Sequence, residues 1–341
     1  MTEITLVLPF TLPVPELAPD LLRELQAPAL AALLTRTTSH RIEQADPDAR
    51  ALPHEMWLGL ALGLVPKGRP APAAAAMHGL RLAPAAGTWF IINPAHVEIA
   101  RNHLLMSDMR RLALSEAHSR ALFESAKPYC DESGNTLLYG DAHTWFMRAD
   151  HWAALDTATP DVATGMNLTD WLPTGAQARE FRKLQNELQM LWFQHPANVE
   201  REAAGQLPIN SFWPWGAADV HRLAAPDVML ACADAPPWLS AFATWPCATV
   251  EQVCGALAQD SVFYCGAAVE TALAGDWGGW LQQMRQLEAQ VFAPILAALE
   301  QGQIDQVRLI LDRRDVLIET STTKMAQRKF WRRPKLDRLL A

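Results

Sequence analysis

Histidines, cysteines and paired acids are the usual carriers of chemistry, and their spacing in this chain of 341 residues excludes most familiar sites. The ten histidines end at His221, so nothing beyond it offers an imidazole to hold a metal or relay a proton. His96 and His103 are seven residues apart, and His143 and His151 flank an expected strand end. These positions suit surface or hydrogen-bonded core imidazoles. The five cysteines, Cys130, Cys232, Cys247, Cys254 and Cys265, are odd in number and lack C-x-x-C spacing. They read as buried or incidental thiols of a reducing cytoplasm. No G-x-S-x-G, H-E-x-x-H, P-loop or G-x-G-x-x-G is present. The one dense charge cluster is the end of the chain. There Lys324, Arg328, Lys329, Arg332, Arg333, Lys335 and Arg338 are opposed only by Asp337, with Phe330 and Trp331 among them. Such a segment suits a contact with nucleic acid or an acidic protein partner. It equally suits a solvated terminus whose aromatics pack back on the body.

The elements that must position these residues follow from periodicity and punctuation. Ile4 to Phe10, Asp227 to Ala233 and Ser261 to Ala268 are short apolar runs with strand character. Val307–Leu311 and Val316–Thr320 form a hairpin pattern joined at Asp312-Arg313-Arg314-Asp315. Leu21 to Thr35 and Ala176 to Gln194 repeat apolar residues at helical spacing, and His195-Pro196 stops the second run. Ser115 is an expected N-cap, and Thr249-x-x-Gln252 is a capping box. Asp276 to Glu300 reads as one long helix kinked at Pro294. The Pro- and Ala-rich stretch Pro66 to Ala76 reads as a linker.

One stretch carries specific wording. From Asp161 to Gly216 the chain has Asp161, Thr164, Gly165, Leu172 and Pro173, a helix, then His195, Pro196, Asn198, Arg201, Gly205, Leu207, Pro208, Asn210, Trp213, Trp215 and Gly216. This resembles D-x-T-G-x-x-x-x-x-x-L-P followed by H-P-x-N-x-x-R-x-x-x-G-x-L-P-x-N-x-x-W-x-W-G of the archaeal-type, cofactor-independent phosphoglycerate mutases. Those enzymes belong to the alkaline phosphatase superfamily. The chain also resembles the proteobacterial, RpfE-type regulatory proteins. The resemblance implies an α/β fold, an alkaline-phosphatase-like core sheet flanked by helices, with a smaller inserted α/β domain. The implied division is 1–75 and 205–323 for the core, 76–204 for the insert and 324–341 for a basic tail.

The resemblance also implies where chemistry should lie, and the residues there differ. The superfamily's first strand ends in a metal-binding Asp, whereas Leu6-Val7-Leu8 is followed by Pro9-Phe10. The family's nucleophilic Ser falls near Glu55, a weak catalytic candidate beside its ordinary role as an acid at a helix start. Val269 and Leu273 stand where the family has metal-binding Asp and His. Asp312 survives, but Arg313 replaces the following His, and a guanidinium cannot ligate a metal. The expectation is therefore a catalytically inactive relative, a pseudoenzyme with no metal or other cofactor and a regulatory or binding role. Arg313, Arg101, Asn102 and Asp312 are the candidate contacts for a small anionic ligand, because Arg donors suit phosphate. The plain alternative for Arg313 is an ion pair with Asp312 or Asp315 in a surface turn. Two other functional readings stay open. One is a metal-independent enzyme acting on a phosphorylated or anionic small molecule. The other is an interaction protein working through the basic tail.

Composition limits the rest. Half of the residues are hydrophobic and 19% are charged, which suits a well-buried globular protein. A net charge of −8 argues against the body as a nucleic-acid binder. The absence of a basic start followed by an apolar run predicts no signal peptide, and no apolar stretch reaches membrane-spanning length. A cytoplasmic protein with no membrane contact is expected.

Overall fold

A computed structural model describes residues 2–66, 68–100, 103–221, 228–256, 260–329 and 331–340. In chain order its strands are β1 (Glu3–Leu8), β2 (Ser39–Gln44), β3 (Gly87–Ala95), β4 (Val97–Ala100), β5 (His103–Met106), β6 (Thr136–Tyr139), β7 (Trp145–Arg148), β8 (Ser211–Val220), β9 (Met229–Ala233), β10 (Ser261–Cys265), β11 (Gln306–Asp312) and β12 (Val316–Thr323). The chain forms two compact units. One comprises Met1–Trp57 and Asp227–Ala341, and the other is Leu58–Pro226. The fold class is α/β, with a central mixed sheet flanked by helices.

The first unit is built on a six-stranded sheet of order β2-β12-β11-β1-β10-β9. β1 runs parallel to both β10 and β11, and the hairpin β11–β12 and then β2 extend the sheet antiparallel. All six residues of β1 but Glu3 are buried, as a central strand covered on both faces requires. The helical run expected over Leu21–Thr35 is two helices, Ala18–Glu24 and Pro28–Thr35. Pro28 causes the break: it forces Ala27 out of helical geometry and opens the second helix itself. That helix has no side-chain cap of its own. Glu288 supplies one, taking the N–H groups of Ala29 (2.6 Å) and Leu30 (3.1 Å) on its two carboxylate oxygens. Glu288 opens a π-helical segment, Glu288–Phe292, between the helices Trp277–Leu287 and Ala293–Gln301. The interruption expected at Pro294 is this wide turn, which accommodates a residue lacking an N–H.

The second unit carries a four-stranded sheet of order β6-β7-β3-β8 and a small hairpin, β4–β5. Its core packs the helices Glu116–Glu132 and Ala178–Trp192 on that sheet through Leu122, Phe123, Phe181, Leu184, Leu188 and Trp192. The compact units divide at 57/58 and 226/227, whereas the sequence reading places boundaries near 75 and 205. The reason is pairing. β8 runs antiparallel to β3 from Ser211 to Val220, and the helix Ala73–Gly79 packs on both strands. The Pro- and Ala-rich stretch is thus partly helical and belongs to this unit.

Candidate functional site

In a sheet with parallel strands, ligands bind outside the carboxyl ends of the strands, so the ends of β1, β10 and β11 are the place to look. Two elements meet there. The chain turns sharply after β1, with Phe10 in the left-handed region at φ 57°. The helix Pro53–Ala61 begins nearby and presents the backbone of His54. Asp312, the last residue of β11, is 1% exposed and joins the two. Its Oδ1 accepts from Phe10 N at 2.9 Å, and its Oδ2 accepts from His54 N at 2.9 Å and from His54 Nδ1 at 2.7 Å. Its own carbonyl takes Leu12 N at 3.0 Å.

A non-glycine residue at positive φ costs about 1–2 kcal/mol and persists only where its surroundings hold it. Phe10 is held at both ends. Asp312 takes its N–H, and Trp280 Nε1 donates to its carbonyl at 2.8 Å. Thr11 Oγ1 closes the turn onto Leu8 O at 2.7 Å. The rings of Phe10 and Tyr264 lie 6.2 and 6.4 Å from that of His54. Phe10, His54, Tyr264 and Asp312 thus cluster at the carboxyl ends of β1, β10 and β11. The residues do not fit a divalent ion. The first-strand position offers a phenyl ring and a backbone N–H, and Asp312 already accepts from donors on both oxygens. Among the described residues no group of three or more His, Cys, Asp or Glu is placed to hold a metal.

The remaining site candidates fall as follows. Glu55 is buried, and its Oε2 accepts from Leu52 N at 2.7 Å, so it caps its own helix. Arg313 Nε lies 2.7 Å from Asp315 Oδ1 in the β11–β12 turn, and Arg313 N bonds to Val316 O. The Arg314 guanidinium stands 6.0 Å from the Phe10 ring. Arg101 and Asn102 lie outside the described residues. Burial pushes the thiols of Cys130 and Cys232 up to about 12 and those of Cys254 and Cys265 up to about 11, which leaves them un-ionised and poor nucleophiles.

Sequence reasoning missed His54 and the Phe10 turn. The signal available was the retained Asp312, a buried acid that needs donors from somewhere.

The family-like wording lies in the second unit and is structural. Asn198 is 1% exposed; its Nδ2 donates to Trp192 O and Ile209 O, and its Oδ1 accepts from Ile209 N. Arg201 is wholly buried and donates to the carbonyls of Leu112, Ala113 and Leu207. Asn210 exchanges two bonds with the backbone of Val97. Trp213 Nε1 donates to Ala158 O, and Trp215 Nε1 to Asn93 Oδ1. His195 caps the helix Pro196–Ala203, its Nδ1 accepting from Ala197 N. These side chains stitch that helix and β8 to the rest of the unit.

The basic tail packs back on the first unit. Leu339 is wholly buried, Arg338 donates to Thr37 Oγ1, and Lys335 exchanges bonds with the Thr35 hydroxyl. Arg328, Arg332, Arg333 and Trp331 remain exposed, and Phe330 lies outside the described residues. No helix of the described residues is long and apolar enough to cross a membrane.

Against known proteins, no family model matches the chain, and no curated protein matches it either. The cofactor-independent phosphoglycerate mutase of Thermoplasma acidophilum aligns over 94% of this chain and 89% of its own, at 16% identity and a TM-score of 0.44. The PH0037 protein of Pyrococcus horikoshii aligns over 99% of this chain and 92% of its own, at 12% identity and a TM-score of 0.55, and the two share a fold.

Proposed function

We propose that this chain is a phosphoglycerate-mutase-like protein without mutase chemistry, of the RpfE type, which acts by binding or regulation. The observation that carries the reading is the environment of Asp312. In a metallophosphatase an acid at this strand end must offer lone pairs to an ion. Here the same carboxylate accepts from one backbone N–H on Oδ1 and from a backbone N–H and an imidazole on Oδ2. The family's nucleophile position is held by Glu55, whose carboxylate caps a helix. Phosphoryl transfer needs a positioned nucleophile and charge around the transferred group, and the chain keeps neither in that form.

A ligand retained at this end of the sheet would be a small anion met by Arg313, which must then leave Asp315. The reading of a scaffold without a metal site is tested by calorimetric titration of manganese and zinc into the dialysed chain. The expected result is no saturable heat at millimolar metal. Stoichiometric binding that Asp312→Asn abolishes would overturn the reading.

A further inference from the structure

We propose that two copies of this chain pair through β2, edge to edge and antiparallel, in a two-fold symmetric dimer. β2 is an outer strand of the six-stranded sheet, and among the described residues it is bonded only to β12, on one side. Every residue of it except Glu43 is exposed, including Ile42 at 47%. Edge strands of this length are commonly protected by proline, lysine or a covering loop. Ser39-His40-Arg41-Ile42-Glu43-Gln44 contains neither proline nor lysine.

The backbone and the charges select one register. Ile42 lies opposite Ile318 and Gln44 opposite Val316, and next in line Ala45 donates its N–H to Asp315 O. Antiparallel strands alternate the direction of their backbone groups, so Arg41 and Glu43 face β12 with Ala45. The N–H and C=O groups of His40, Ile42 and Gln44 then point outward. A second copy related by a two-fold axis pairs residues at equal distances on either side of a centre. Centred on Arg41, like guanidinium groups meet, and centred on Glu43, like carboxylates meet. Centred on Ile42, each Arg41 lies opposite Glu43 of the second copy, and His40 lies opposite Gln44. The outward backbone groups of Ile42 then face each other, as an exchanged pair of hydrogen bonds requires.

Within one copy Arg41 and Glu43 are already ion-paired on the same face of the strand. The dimer doubles this into a square of alternating charges, and the Ile42 side chains meet on the opposite face. Opposite charges directly across a pair of strands favour pairing and like charges oppose it. The sequence R-I-E is thus complementary to its own reverse, which marks a second copy of this chain as the occupant.

The test is sedimentation equilibrium of the full chain from about 1 to 300 µM at low salt. A strand-edge contact is small, so a dimer dissociation constant on the order of 10 µM is expected. Symmetry places each substitution in the interface twice, so Arg41→Glu and Glu43→Arg should each weaken it at least about tenfold. Both side chains point to solvent, so the folded state should survive, and circular dichroism checks this. The double variant Arg41→Glu/Glu43→Arg restores opposite pairing and should return to within about threefold of the parent. A chain that stays monomeric to the top concentration overturns the proposal. So does a dimer indifferent to both single changes, or a double variant no tighter than the single ones. An extended peptide of another protein as the true occupant would show as the first of these outcomes.

Discussion

Replacing Asp312 by Asn changes almost nothing in volume and separates a structural carboxylate from a functional one. The carboxylate offers two acceptors to Phe10 N, His54 N and His54 Nδ1, and it is 1% exposed. An asparagine offers one acceptor and one donor. Whichever way it turns, its NH2 faces a backbone N–H, and a buried donor left without a partner costs about 1–3 kcal/mol. The bonds that remain lose their ionic partner, and such charge-assisted bonds contribute roughly twice a neutral one, so about 1 kcal/mol more is lost. The expected loss is therefore about 2–4 kcal/mol, which lowers Tm by about 4–16 °C for a unit of this size. The assay is a calorimetric melt of wild type and variant at neutral pH. An unchanged or raised Tm would refute the reasoning, since a carboxylate kept for a ligand is one whose removal relieves the empty protein. Asp312→Ala should cost more, because it leaves all of these donors without their acceptor and opens a cavity.

The other expectations rest on single contacts. Arg201→Lys keeps the charge but loses the planar fork that serves the Leu112, Ala113 and Leu207 carbonyls, so a loss of about 2–3 kcal/mol is expected in denaturant melts. An unchanged midpoint would show the guanidinium to be dispensable. Burial lowers the pKa of His195, of His143 and of His40, the last also through Arg338. The unfolded chain then binds more protons than the folded one below the ordinary value near 6.5, so stability held above that pH falls as pH drops through it. His195→Asp keeps an acceptor for Ala197 N and should flatten part of that slope, whereas an unaltered profile would remove His195 as a contributor. In thermal shift with millimolar phosphate or phosphoglycerate, stabilisation should vanish in Arg313→Ala. A variant that responds like wild type would remove Arg313 from the anion contacts. Arg332→Ala/Arg333→Ala is the companion test for the tail, because deletion after Thr323 would strip buried Leu339 and Gln327 from the fold.

Much of the fold was legible in sequence because it rests on local rules. Ser115 accepts from His118 N at its helix start, and Thr249 and Gln252 form both halves of a capping box. The β11–β12 hairpin and the stop at His195-Pro196 follow from turn and proline chemistry. Elements that depend on distant partners were less legible. Nothing near Pro28 announces that Glu288, 259 positions beyond Ala29, will cap its helix. The same holds for the site. Departures from the resembled family's motifs can be read residue by residue, but the three-way contact of Phe10, His54 and Asp312 is brought together only by the folded sheet. The family-like motif was the loudest sequence signal and turned out to specify scaffold: Asn198, Arg201 and Asn210 spend their polar atoms on backbone.

The central claim, a mutase-like scaffold without mutase chemistry, is tested most directly by turnover. The purified chain is assayed for interconversion of 2- and 3-phosphoglycerate with manganese present. The account predicts rates equal to the protein-free control, unchanged by Glu55→Gln. A rate that scales with protein, saturates with substrate and disappears in Glu55→Gln or Asp312→Asn would contradict it.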